Sequence, residues 1–224
     1  MALYIVSTPI GNLEDITLRA INTLKNVDFI AAEDTRHSII LLNKYEIRKP
    51  LLSFHSHSGM MKIEKIIEGL KEGKSCALIT DAGTPGISDP AYSLVKAAIE
   101  QNIQVIPIPG PAAFLTAIVA TGLPMNEFVY LGFLPLKKGR QTLLISLKEE
   151  EKTVVFYESP HRIKKTLSQL KEFLGGERRI VIGRELTKIH EEFFRGTIEE
   201  AVLHFGNKEP KGEFTVVLGG SRFF

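Results

Sequence analysis

The feature that most constrains this chain is the alternation of two periods along its first half. Short runs rich in β-branched residues occur at LYIVS (3–7), VDFIAA (27–32), LLSFH (51–55), CALIT (76–80) and QVIPI (104–108). Between them lie ITLRAINTLK, SIILLNKYE, KIEKIIEGLKE and AYSLVKAAIEQ, in which apolar residues recur at helical spacing. A helix between successive strands carries the chain back to the same end of the sheet, so the strands run parallel with helices on both faces. The pattern then loosens. VYLGFL (129–134), TVVFYE (153–158), RIVIGRE (179–185), EEFFRG (191–196) and EFTVVLG (213–219) read as strands, the last three joined by shorter links and one short helix, TIEEAVLHF. The expected fold class is therefore α/β with two α/β domains: an N-terminal parallel sheet over residues 1–124 and a C-terminal mixed sheet over 125–224, divided at GLPMNE.

A parallel sheet gathers the ends of its strands at one edge, and ligands bind outside that carboxyl edge. Every strand of the first half ends in an unusual loop: STPIGN, AEDTR, HSHSG, TDAGTPGISDP and PIPGPAA. Turn chemistry alone explains one or two such loops, but not Glu33, Asp34 and Arg36 together, nor the length of the fourth. There Gly83 and Gly86 let backbone approach a ligand with no Cβ in the way, Pro85 fixes the turn, Thr84 and Ser88 offer hydroxyls, and Asp89-Pro90 caps the next helix. In the fifth loop Pro109-Gly110-Pro111 turns sharply, and small Ala112 and Ala113 start a helix. The space left between the two suits a flat ligand held by main-chain groups, such as an adenosine. Two rigid turns packed closely would have the same composition, and the residues alone do not choose.

Several classes are excluded. With 44% hydrophobic and 24% charged residues the chain is not disordered. AAFLTAIVA (112–120), among its longest apolar runs, is too short to span a bilayer. The amino terminus enters a strand without a basic n-region, so no signal peptide is expected and the location is read as cytoplasmic, with no membrane partner. Cys76 is the sole cysteine, which excludes an internal disulfide or a cysteine zinc site. No two of the 18 glycines stand two apart, so the G-x-G of dinucleotide and ordinary methyltransferase folds is missing. GLKEGKS (69–75) precedes a strand, whereas a phosphate loop follows one. His55 and His57 have metal-like spacing, but nothing else is spaced to supply a third ligand, so no metal is expected. Ser159 lies beside His161 without a G-x-S-x-G elbow.

In combination and in order, YIVSTPIGNLEDIT, AAEDTR, TDAGTPGISDP, PIPGPAA, YLGFLP, FYESPHR and RELTKIHEEFFRG resemble the tetrapyrrole methylase superfamily over nearly the whole chain. Within it they look like the branch that methylates small-subunit ribosomal RNA. The resemblance implies S-adenosylmethionine as cofactor, held in the cleft between two α/β domains, and it accounts for the missing G-x-G. It implies that Pro9, Gly11, Gly83, Thr84, Pro85, Gly86, Ile87, Ala112 and Ala113 hold the cofactor, with Phe133, Leu186 and Thr187 closing over it. It implies a 2′-O-methyl placed on a cytidine of the decoding region of 16S rRNA, with the small ribosomal subunit as partner, and a homodimer; Phe193 and Phe194, read as exposed apolar residues, are candidates to contribute to its interface, which the sequence does not place. Some members carry a further helical segment after the point where this sequence stops at GGSRFF, which bears on how RNA is gripped.

A ribose hydroxyl is a poor nucleophile, so a base or a polarising cation should assist it. Asp34 is the first choice for base, followed by Glu158 and Glu185, each beside an arginine as an ordinary salt bridge would be. The substrate set adds Glu33, Arg36, His55 and Arg184. To these the clusters LKKGR and HRIKK contribute Lys137, Lys138, Arg140, His161 and Arg162, as a positive rim for RNA. Phe133, Tyr157 and His161 are aromatic side chains available to stack a splayed base. The net charge of only +2 favours shaped RNA in a partly assembled subunit over free RNA. Two alternatives stay open here: a tetrapyrrole C-methyltransferase with the same cofactor loops, separated by AEDTR, HSHS and ESPHR, and a non-catalytic adenosine-binding ribosome-assembly factor, separated by turnover.

Overall fold

The computed structural model describes residues 1–55, 59–89, 91–207 and 209–222. They form two compact units, Met1–Ala112 and Ala113–Phe224. In the first, β1 (Leu3–Val6), β2 (Phe29–Ala32), β3 (Leu51–Ser53), β4 (Cys76–Ile79) and β5 (Val105–Ile108) form one sheet in the order β3-β2-β4-β1-β5, and every pair is parallel. Neighbouring residues on a strand face opposite sides. Ile30 and Ile79 therefore pack with Ala20 and Leu24 of α1 (Leu18–Asn26) and Leu41 of α2 (Thr35–Lys44). Ala31 and Leu78 pack with Ile66 and Leu70 of α3 (Met60–Lys71) and Leu94 of α4 (Ala91–Glu100) on the other side. Both faces are covered, which is why these strands read as continuous apolar runs.

The second strand starts later than its composition suggests. The Val27 N–H closes α1 on the Thr23 carbonyl, and Asp28 accepts from both the N–H and the hydroxyl of Ser75, so only Phe29 onward joins the ladder. GLKEGKS is the end of α3 and the turn into β4.

The second unit contains α5 (Ala113–Ile118), β6 (Phe128–Phe133), α6 (Arg140–Ser146), β7 (Thr153–Glu158), α7 (Ile163–Leu174), β8 (Arg179–Arg184), β9 (Glu192–Thr197), α8 (Ile198–Gly206) and β10 (Phe214–Leu218). Its sheet runs β6-β7-β10-β8-β9, with β6 and β7 parallel and the other pairs antiparallel. Leu144, Phe156, Leu167, Leu170, Ile182, Phe205 and Val216 form its core. The unit begins at Ala113 because α5 packs on β7 and β10, whereas the sequence reading places α5 with the first domain by cutting at 124/125. Arg178, 2% exposed, donates to the carbonyls of Gly219 (2.7 Å), Leu147 (2.5 Å) and Glu150 (3.1 Å), tying the segment after β10 to the one after α6. Phe193 and Phe194 are half-buried rather than exposed. Phe194 packs against Phe205 and His204, and the Arg195 guanidinium lies 4.9 Å from the centre of the Phe193 ring. Among the described residues no helix is long and apolar enough to cross a membrane.

Candidate functional site

All five carboxyl ends of the first sheet share one edge, and the loops after β1, β2, β4 and β5 are stitched into a rim there. Thr8, just past β1, exchanges both backbone hydrogen bonds with Gly83 (2.9 and 3.0 Å), and its hydroxyl donates to the Thr80 carbonyl at 3.0 Å. Ser7 and Thr84 hydroxyls lie 2.8 Å apart, and Thr84 donates on to the Pro111 carbonyl at 3.1 Å. The first, fourth and fifth loops are thus tied by hydroxyls that the sequence reading passed over in Ser7, Thr8 and Thr80. Their signal was small hydroxyl residues directly after two strands, β1 and β4.

Gly83 and Gly86 take φ of +82° and +89°, the left-handed region where a side chain is strained. An ideal Cβ on Gly110 would stand 2.8 Å from the Cβ of Ser7, so the fifth loop approaches the first as closely as it does only because that residue is glycine. Pro9, Pro85 and Ala112 are buried in the rim, while Gly11, Gly86 and Ile87 are exposed on it and Ala113 is partly covered. The result is a rigid rim of exposed main chain, which is the cradle an adenosine requires. The residues present therefore fit the cofactor that the sequence implies.

Beside the rim, the ends of β2 and β4 bring carboxylates together. Thr80 donates to Glu33 at 2.5 Å, and the Asp34 N–H donates to Asp81 Oδ1 at 3.1 Å. Asp34 is the N-cap of α2, accepting from the Arg36 N–H at 2.9 Å, and its two oxygens receive the Arg36 guanidinium at 3.1 and 2.7 Å. Those bonds to Arg36 hold the Asp34 carboxyl down at about 2. Such a carboxylate is charged at neutral pH but a weak proton acceptor. Asp81 differs. Burial, reinforced by the charges of Glu33 and Asp34, raises its carboxyl above the ordinary 3.8, against the lowering effect of the Asp34 N–H. Asp89 is raised for the same first reason. Asp81 was missed, although its place in TDAG puts a second acid on the edge that Asp34 already marked. His55 is half-buried past β3, and His57 lies outside the described residues. Among the described residues no three His, Cys, Asp or Glu side chains gather as metal ligands do.

Within the second unit, several residues read as catalytic or RNA-contacting hold the chain together instead. Glu158 has a fully buried side chain. Its Oε1 accepts from Arg162 (2.7 Å) and the Ser159 N–H (2.8 Å), and its Oε2 accepts from Thr166 (2.6 Å). Arg140 is 7% exposed and donates to Thr166, Gln169 and the Pro135 carbonyl, so it is not a surface contact. Glu185 accepts from the Glu213 N–H (2.9 Å) and Lys188 (3.0 Å). Together with Lys188 and Arg184 these bonds lower its carboxyl, although burial acts in the opposite direction. It sits at φ +51°, with Thr187 at +66°, so the RELT turn carries backbone strain of the kind found at binding segments. Leu186 is buried in that turn. Arg184 donates to the Lys211 carbonyl and to Glu192, which also meets His204 at 2.7 Å. Phe133 is 55% exposed, with its ring 5.5 Å from Tyr157. Lys137, Lys138 and His161 are exposed.

The sequence pattern of the tetrapyrrole (corrin/porphyrin) methylases matches residues 2–202. The ribosomal RNA small subunit methyltransferase I of Thermotoga maritima is 52% identical over 218 residues, covering 97% of this chain and 98% of that protein. The protein of the same name from Bacillus subtilis is 50% identical over 220 residues, 98% of this chain and 75% of its own length. Among solved structures, the methyltransferase CobJ superposes with a TM-score of 0.74 at 18% identity, covering 98% of this chain and 94% of that one. Cobalt precorrin-4 methyltransferase gives 0.72 at 16%, covering 97% and 94%.

Proposed function

This chain belongs to the tetrapyrrole methylase family, and from that premise we propose that it methylates the ribose 2′-hydroxyl of a cytidine in the decoding region of 16S rRNA, using S-adenosylmethionine. The observation that carries the reading is the end-to-end match at 52% identity to a protein named for methylating small-subunit ribosomal RNA. The stitched rim of the first unit is what such a cofactor needs.

S-adenosylmethionine supplies a methyl group on a sulfonium, which leaves as a neutral thioether when that methyl is displaced. The work left to the protein is alignment and one proton, and alignment alone is worth several orders of magnitude in rate. Gly11 and Gly86 present backbone without side chains to the adenosine and Ile87 an exposed apolar side chain, while buried Pro9, Gly83, Pro85 and Ala112 keep that backbone from moving. The proton goes to a carboxylate on the same edge. With Asp34 committed to Arg36, Asp81 is the stronger acceptor: its Oδ1 is oriented by the Asp34 N–H and its basicity is raised by burial. Arg36, 89% exposed at its side chain, stands where an RNA phosphate can reach it. The same reading has the protein act on RNA in the cytoplasm, and as a homodimer.

The test is methyl transfer from labelled S-adenosylmethionine to small ribosomal subunits isolated from cells lacking this protein, followed by digestion to nucleosides. Label on 2′-O-methylcytidine is expected. Intact cofactor binding with no label on RNA would overturn the reading.

A further inference from the structure

Residues 134–147 and 159–171 carry seven lysines and arginines and no aspartate or glutamate, in a chain whose net charge is +2. The first stretch contains α6 and the second most of α7, which ends beyond it with Glu172, and the two helices pack side by side. Like charges gathered on neighbouring helices repel unless anions intervene: Glu199 pairs Lys171, and between Arg140 and Arg162 the anion is the buried Glu158.

Glu158 organises the patch from below. It holds Arg162 at 2.7 Å and has Arg140 within 3.9 Å. Each arginine spends a further N–H on the loop that follows β6: Arg162 donates to the Leu134 carbonyl and Arg140 to the Pro135 carbonyl, both at 3.1 Å. Arg140 also reaches Thr166 (2.7 Å) and Gln169 (2.8 Å) on α7. One carboxylate therefore fixes the 134–139 loop to the ESPHR turn. Such a buried ionic network adds little stability over apolar packing, but it specifies one geometry. Lys164 is tied to the Gly206 carbonyl, while Lys137, Lys138, His161 and Lys165 are exposed on the surface so fixed.

The geometry points to a phosphodiester-binding surface made by Lys137, Lys138, His161 and Lys165, with Glu158, Arg140 and Arg162 as positioning residues beneath it. This rests on the proposed RNA substrate and adds which face grips its backbone. Lysines on an anchored loop hold phosphates at fixed spacing, whereas the same lysines on a loose loop would be an ordinary solvated rim.

The experiment is steady-state methylation of small subunits from cells lacking the protein, at several salt concentrations, alongside binding of S-adenosylhomocysteine. The full-length variants are Lys137→Ala/Lys138→Ala and Glu158→Gln. The double lysine variant is expected to raise KM for subunits about tenfold, with the loss falling on KM rather than kcat. The slope of log kcat/KM against log salt should become shallower by roughly 1.5, since each phosphate contact contributes about 0.7–0.9. Glu158→Gln should move KM and slope the same way and leave S-adenosylhomocysteine affinity alone. An unchanged KM and slope in the double variant overturns the surface. So does a raised KM with an unchanged slope, which would indicate contact with a ribosomal protein. If Glu158→Gln does not fold, Arg162→Met takes its place, because it keeps the length of the side chain but can donate to neither Glu158 nor the Leu134 carbonyl. A lowered melting temperature there with KM and slope unmoved overturns the positioning role. Wild-type protein that methylates no subunits sinks the functional reading instead, and salt-dependent binding of 16S rRNA to the same variants still judges this surface.

Discussion

Replacing Gly110 by alanine tests the cofactor rim at its tightest point. The new Cβ would lie 2.8 Å from the Ser7 Cβ, about 0.6 Å inside the 3.4 Å at which ordinary contact begins. Ser7 cannot yield, being 1% exposed with its N–H on the Ile108 carbonyl. The fifth loop must therefore move. A shift of about 0.6 Å, taken along the bond, stretches the 3.1 Å link from Thr84 to the Pro111 carbonyl beyond hydrogen-bond range. Overpacking of this kind costs about 1–3 kcal/mol and the lost bond about 1 more. For a chain of this size each kcal/mol lowers the melting temperature by about 2–4 °C. Because the displaced loop is part of the cradle, S-adenosylhomocysteine affinity should fall at least tenfold, as read by calorimetry. Ser7→Gly in the Gly110→Ala background removes the clashing atom, so the pair should show a favourable coupling of about 1–2 kcal/mol in a double-mutant cycle. Ser7→Ala keeps that atom and should rescue nothing. Native melting and affinity in Gly110→Ala, or equal rescue by both Ser7 variants, refutes the reasoning.

Three other outcomes are expected. Arg178→Met leaves the Gly219 carbonyl without its donor, while the Leu147 and Glu150 carbonyls keep the N–H groups of Glu150 and Ser221, and should lower stability by about 1–3 kcal/mol, read by thermal or urea unfolding; a loss below about 0.5 kcal/mol would show that water replaces the guanidinium. Asp34, lowered to about 2 by Arg36, contributes stability that is present above the ordinary 3.8 and lost as pH falls toward 2. Arg36→Ala should return its titration toward 3.8 in a carboxyl NMR titration, and an unmoved midpoint would remove Arg36 as the cause. Asp81 runs the other way, since its raised carboxyl destabilises the fold above the ordinary 3.8. Asp81→Asn should therefore melt higher than wild type at neutral pH, with the gain fading as pH drops toward 4, while kcat falls about 100-fold or more as expected for loss of a general base. Retained kcat would return the base to another carboxylate.

Much of this protein was legible in its residues because the relevant physics is local. Strand and helix periods, the parallel order they impose, and glycine at sharp turns are each set by neighbours in the chain, so the two sheets and the carboxyl-edge loops follow from reading along it. The division at Ala112/Ala113 does not, because α5 is assigned by what it packs on rather than by its own composition. The roles of charged side chains were the least legible. ESPHR and LKKGR look like surface chemistry in sequence, yet Glu158 and Arg140 are buried partners across 18 positions of chain, and Arg178 binds carbonyls of two distant segments. Asp34 and Asp81 are the same residue type on one edge; the arginine beside the first was legible two positions along the chain, but only the fold gives the second a half-buried pocket of like charge. Sequence determines which backbone can turn, pair and come close. Which carboxylate is basic, and which cation remains free for a ligand, depends on desolvation and on partners brought together from distant parts of the chain, and that is decided by tertiary structure.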